Sequence, residues 1–161
     1  MNSNKFSTSS FINLSLLMET EPLFLEEGID EQIELVNSNN QLILHHRNLS
    51  SNFPSLASLS HVTHLHIARC FLDAFPTQLF DLKHLEVLDI SANNISHIPD
   101  ALPREWRFSL KLLDISHNII STFPSSLCKL ERLEELYVSW NQIGLSSRTL
   151  PRQIGNLKEL K

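Results

Sequence analysis

The chain has 161 residues, of which 42% are hydrophobic and 19% charged, so it can bury one core and does not have the composition of a disordered protein. Its formal net charge of -5 argues against a nucleic-acid backbone as the main partner. No apolar run approaches the roughly 20 residues of a membrane helix, and we expect no membrane partner. Cys70 and Cys128 give no disulfide framework, which favours a cytoplasmic location.

The first forty residues contain no strong repeat. Residues 1–10 are rich in serine and asparagine, which predicts a disordered tail. Residues 11–40 are expected to form an N-terminal cap region. Within it, Ile29, Ile33 and Val36 have helix-like spacing. This spacing favours a short helix that closes the end of the core, and a helix that binds a partner is the alternative.

A pattern of about 23 residues recurs from residue 41 onward. Its most regular part reads L-x-L-x-x-N/C-x-L. Four clear copies and one weaker upstream copy begin at Leu65, Leu88, Leu113, Leu136 and Leu42, the last being the weaker one. Eight residues after the second apolar position, three copies carry an apolar residue followed by proline, at Phe75–Pro76, Ile98–Pro99 and Phe123–Pro124.

These landmarks resemble those of the intracellular leucine-rich-repeat class with 23-residue units. The resemblance implies an α/β solenoid, with a short parallel sheet on the concave face and helical or irregular convex segments. Residues 41–161 then form about five repeats and end within a further one. Because no polar capping unit follows Leu160, we expect the chain to be a fragment of a longer protein.

One column of the repeat, directly after each predicted strand, holds asparagine or cysteine. A buried side-chain amide there can satisfy backbone groups of the turn that would otherwise be unpaired. We therefore predict a structural role rather than a ligand site for Cys70, Asn93, Asn118 and Asn141.

Strand alternation places other side chains on a shared concave groove. Tyrosine, tryptophan and arginine are enriched at binding hot spots, so this groove is the predicted site for a protein partner. The candidate contact residues are His66, Arg69, Asp89, Asp114, His117, Tyr137 and Trp140. The resemblance implies a scaffold or adaptor role in signalling, and the substrate-recognition subunit of a ubiquitin ligase is the alternative.

A metal site is the least favoured hypothesis. His64 and His66 share a strand face, His61 precedes them, and Asp89 is the lateral neighbour of His66. However, side chains at i and i+2 lie about 7 Å apart, which is wide for ligands of one ion. The sequence also lacks a nucleophile elbow, a phosphate-binding loop and a zinc-protease motif. We predict no enzyme, cofactor, metal or small-molecule substrate.

Overall fold

The computed structural model describes residues 40–50, 53–144 and 150–161. The predicted tail, the predicted cap region up to residue 39 and the predicted N-terminal helix lie outside these ranges. In the ranges that are described, no helix is long and apolar enough to cross a membrane.

Five three-residue strands form one parallel sheet in chain order. They are β1 (Gln41–Ile43), β2 (His64–His66), β3 (Val87–Asp89), β4 (Leu112–Asp114) and β5 (Glu135–Tyr137). Their middle residues are in register across the whole sheet: Leu42, Leu65, Leu88, Leu113 and Leu136. The repeating leucine predicted from the sequence is therefore the residue that aligns each coil with the next, and the predicted solenoid is confirmed.

Hydrogen bonds between neighbouring coils continue beyond the strands. The N–H of Ile67 donates to the carbonyl of Asp89 at 2.8 Å, and the N–H of Ile90 donates to that of Asp114 at 2.9 Å. Both isoleucine side chains are fully buried. Each coil thus uses its neighbour to satisfy its backbone and to cover its apolar face, which no single coil can do.

Short 3₁₀ helices follow three of the prolines on the convex side, at Thr77–Asp81, Ser125–Lys129 and Arg152–Asn156. A further 3₁₀ helix spans Ala57–Leu59. Proline fixes φ at the entry to such a turn, and its missing N–H leaves no donor unpaired there.

The convex segment between β3 and β4 contains the short helix α1 (Trp106–Ser109). Trp106 is 1% exposed, donates from Nε1 to the Leu82 carbonyl at 2.8 Å and lies edge-on to Phe80. Phe108, two residues later in the same helix, is 61% exposed. The two residues are at positions i and i+2 of the helix, about 200° apart around its axis, so only the first packs on the core.

Candidate functional site

The concave face is built from the outward side chains of the five strands. His66, Asp89, Asp114 and Tyr137 occupy one column on consecutive strands, because their strands pair in register. A parallel column on the same face was missed as a candidate contact surface. It contains the half-buried apolar side chains of Val87 and Leu112. Extending the alternation of each strand one step backward would have found it.

The two aspartates also bind their own backbone. Oδ1 of Asp89 accepts the N–H of Ser91 at 2.9 Å, and Oδ1 of Asp114 accepts that of Ser116 at 2.8 Å. Burial acts to raise the pKa of the Asp89 carboxyl, but hydrogen bonds from His66 and Ser91 outweigh it and hold the pKa below its usual value. Both carboxylates are therefore held in fixed orientations.

A second column has a left-handed backbone in every described coil. The φ angles are between 52° and 58° at His46, Arg69, Ala92, His117 and Trp140. Non-glycine residues pay about 1–3 kcal/mol for such a conformation. The repeated hydrogen bonds of this column, such as His117 N–H to the Ser139 carbonyl at 2.9 Å, offset that cost. The backbone of this turn is therefore bonded to the next coil at Arg69 and His117.

Aromatic side chains are exposed at the β5 end of the concave face. Trp140 is 77% exposed and Tyr137 is 48% exposed. The Trp140 ring stacks on His117, with centroids 5.5 Å apart and planes 12° from parallel. The Tyr137 hydroxyl donates to Glu135 at 2.7 Å. Both pairs lie at this end of the face, and we name the four side chains of Trp140, His117, Tyr137 and Glu135 together the aromatic patch.

The asparagine column lies in the buried turn after the strands. Asn93 accepts the N–H groups of Cys70 and Leu72 at 2.9 and 3.1 Å, and donates to carbonyls of its own coil and the preceding coil. Asn118 and Asn141 make corresponding bonds one coil further along. The hydrogen-bonding groups of these amides are occupied by backbone groups, so they have little capacity to bind a ligand.

Both cysteines of the chain are free thiols and buried. The Cys70 thiol contacts the Leu44 carbonyl in the position that asparagine holds in the later coils. Burial raises the pKa of the Cys70 thiol and also that of the Cys128 thiol. A raised pKa disfavours the nucleophilic thiolate at neutral pH.

The structure brings together a different histidine group from the one considered in the sequence. Among the described residues, His45, His66 and Asp89 form the group of potential metal ligands whose donor atoms all lie within 4.8 Å of one another. His64 is outside this group, and its Nδ1 lies 2.9 Å from the Thr63 hydroxyl. Side chains on neighbouring coils approach more closely than those at i and i+2 of one strand, so among the described residues His45 takes the place in this group that the sequence analysis assigned to His64.

A groove of about 770 Å³ with mixed polar and apolar lining lies on the convex side. Its lining includes Arg104, Lys129, Arg132 and Lys158, together with Glu159. The groove is remote in the fold from the strand columns that carry the predicted contact residues. The groove is a second possible surface for a partner, and variants of its lining can be compared with variants of the concave face.

A model of the leucine-rich-repeat family matches residues 84–104, 109–130 and 132–157. These stretches include β3, β4 and β5, and they leave out residues 105–108, which contain most of α1. The described part of the chain is a leucine-rich-repeat solenoid. Such repeats generally mediate protein–protein interaction, since stacking them creates an extended concave surface, and the fold is typically non-catalytic.

This leucine-rich-repeat chain is similar to human volume-regulated anion channel subunits. It is 34% identical to LRRC8E over 101 residues, covering 63% of this chain and 12% of that protein. It is 28% identical to LRRC8A over 107 residues, covering 66% and 13%. The chain therefore spans about an eighth of the length of these relatives.

A similar solved structure is the leucine-rich-repeat ectodomain of the receptor kinase SOBIR1 from Arabidopsis thaliana. The TM-score is 0.58 at 29% identity, and the alignment covers 74% of this chain and 64% of that one. The similarity extends over more of the solenoid than the family model does and supports the same fold.

Proposed function

We propose that this solenoid is a non-catalytic protein-interaction module that binds a protein partner through its concave face. The observation that carries the proposal is the aromatic patch, where Trp140 presents 77% of its surface to solvent beside Tyr137. Large aromatic rings are the residue types that dominate binding energy at protein interfaces. A partner that covers these rings removes their apolar surface from water, and this burial stabilises the complex by about 25 cal/mol per Å².

The other proposed contacts give the face polar specificity. Asp89 and Asp114 present carboxylates whose orientation is fixed by hydrogen bonds to Ser91 and Ser116. His66 lies beside Asp89, with Nδ1 and Oδ2 3.6 Å apart. We expect a partner to place hydrogen-bond donors or basic groups over the aspartates, because fixed carboxylates cost little to organise on binding.

Residues of the rim extend the proposed surface toward the N-terminal coils. Phe71 is 60% exposed and Ile119 is 43% exposed, and both follow directly on the asparagine or cysteine column. Phe71 and Arg69 line a small hollow with His46 and Ala92. This hollow suits a single side chain of a partner, with Arg69 available to pair with an acidic group.

The test is a proximity or pull-down comparison of the full chain with the Tyr137→Ala, Trp140→Ala double variant. We expect the partner to be lost while the melting temperature stays close to that of the wild type, because both side chains are exposed. The matched control is Phe108→Ala, which removes an aromatic ring that is 61% exposed on the convex side. Equal capture by the wild type and the double variant would disprove the concave face as the site.

A second arm tests the convex groove. The Arg104→Glu, Lys129→Glu variant reverses two charges of its lining and is expected to leave capture unchanged. If this variant loses the partner while the Tyr137, Trp140 variant keeps it, the binding site lies in the convex groove and the proposal is wrong.

The captured proteins also distinguish between finer proposals. We propose a cytoplasmic scaffold in signalling, supported by the two free thiols, which fit a reducing compartment. Co-purification of ubiquitin-ligase subunits would favour the substrate-recognition role instead. We also propose, from the stretch between Phe108 and Pro151, a similarity to leucine-rich repeat-containing protein 58, whereas the relatives found by comparison belong to the LRRC8 group.

A further inference from the structure

We propose that His45, His66 and Asp89 form a binding site for a divalent transition-metal ion of the zinc class. The three residues come from three successive coils, and their donor atoms all lie within 4.8 Å of one another. Two imidazoles and one carboxylate are a ligand set that zinc and its neighbours accept, with a remaining position for water or another ligand.

The carboxylate is already oriented for this role. Oδ1 of Asp89 accepts the Ser91 N–H at 2.9 Å, and Oδ2 lies 3.6 Å from Nδ1 of His66. A backbone donor that holds one oxygen and leaves the other toward a ligand is the usual outer support of a metal-binding carboxylate. The pair Asp89 and His66 is therefore fixed by the sheet, on which β2 and β3 are in register.

Metal binding requires the side chain of His45 to move closer to those of His66 and Asp89. Ligand atoms about 2.1 Å from a tetrahedral ion are about 3.4 Å apart, which is shorter than the 4.8 Å limit of the group. His45 is exposed and its ring lies 6.2 Å from that of His66, centroid to centroid. A side-chain rotation at an exposed position closes such a gap without moving the backbone.

Arg69 opposes cation binding. Its charge acts on His45, and a cation at the site would be repelled by it. Removing this charge should therefore strengthen metal binding, whereas removing a metal-ligating side chain should weaken it.

The experiment is a titration of the tag-free full chain with Zn²⁺ by calorimetry, repeated with Co²⁺ by visible absorption. We expect one saturable site, and a loss of affinity of at least about tenfold in His45→Ala, His66→Ala and Asp89→Asn. Asp89→Asn keeps an oxygen for the Ser91 N–H, so the fold is preserved. The Arg69→Ala variant should bind more tightly, and tetrahedral coordination should give intense cobalt bands.

The matched control is His64→Ala, because His64 lies on the same strand and the same face but outside the ligand group. It should bind Zn²⁺ like the wild type. No saturable binding, equal weakening by His64→Ala and His66→Ala, or full binding by folded His45→Ala would each overturn the proposal. Thermal melts of every variant distinguish the loss of a metal-ligating side chain from the loss of the fold. If His66→Ala does not fold, His66→Gln is tested in its place.

Discussion

At the scale of single residues, one asparagine side chain forms the hydrogen bonds of several backbone groups. Asn118 accepts the N–H of Ile95 at 3.0 Å and donates to the carbonyls of Ile90, Ile115 and Ser116. It is 5% exposed, so water cannot replace these bonds without opening the turn. The residue therefore links two coils through their backbone.

The Asn118→Ala variant should lose about 1–3 kcal/mol of unfolding free energy, because buried backbone groups would be left unpaired. Urea unfolding at equilibrium measures the loss. Asn94→Ala is the control, since Asn94 is exposed and should change the stability by less than about 0.5 kcal/mol. Equal effects of the two variants would contradict the structural role of the column.

The buried cysteines should resist thiol reagents. Because burial raises the pKa of both Cys70 and Cys128, we expect labelling at pH 8 to be at least about tenfold slower in the native protein than in urea. Single-cysteine variants, Cys70→Ser and Cys128→Ser, separate the two rates by mass spectrometry. Rapid native labelling of either thiol would show that its coil opens in solution.

At the scale of elements, a three-residue strand has no stability of its own. β4 (Leu112–Asp114) is held by pairing with β3 and β5 on its two sides and by Leu113, which is 3% exposed. The strand exists because its neighbours cover its leucine and complete its hydrogen bonds. Side-chain burial in the central coils is therefore the main source of the stability of the sheet.

Leu113→Ala should cost about 2–5 kcal/mol, as expected for a cavity in a packed core. Ile119→Ala removes an apolar side chain from the same repeat, but that side chain is 43% exposed, so the cost should stay within about 0.5 kcal/mol. Denaturant unfolding of both variants checks the assignment of inward and outward faces. If Ile119→Ala were the more destabilising, that assignment would be reversed.

At the scale of the whole molecule, the described coils pack mainly on their immediate neighbours, since each strand contacts the next in the order β1 to β5. Ile67, Ile90 and Ile115 are fully buried at the same place in successive coils. Coils one apart are separated by about 4.8 Å and coils two apart by about 9.6 Å. Energetic coupling should therefore decay within two coils.

Double variants test this decay. Ile67→Val combined with Ile115→Val should change the unfolding free energy additively, within about 0.3–0.5 kcal/mol. Ile67→Val combined with Ile90→Val should deviate from additivity, because these side chains belong to adjacent coils. Urea unfolding of the single and double variants gives both coupling energies, and equal coupling in the two pairs would contradict nearest-neighbour packing.

The sequence by itself determined the repeat, the solenoid and the inward residue of each strand. Leucines such as Leu65 and Leu88 recur at a fixed period, and stacking is the arrangement that buries all of them together. The position of the aromatic residues Tyr137 and Trp140 near one another also follows from this period, because both lie in the same unit.

Only the tertiary structure decided which side chains meet between coils. It selected His45 rather than His64 as the neighbour of His66 and Asp89, and it buried Trp106 while leaving Phe108 exposed. The physical reason is the same in both cases. The sequence period fixes which face a residue occupies. The distance between two side chains also depends on the spacing of neighbouring coils, on the turn after the strand and on the helix of the convex segment.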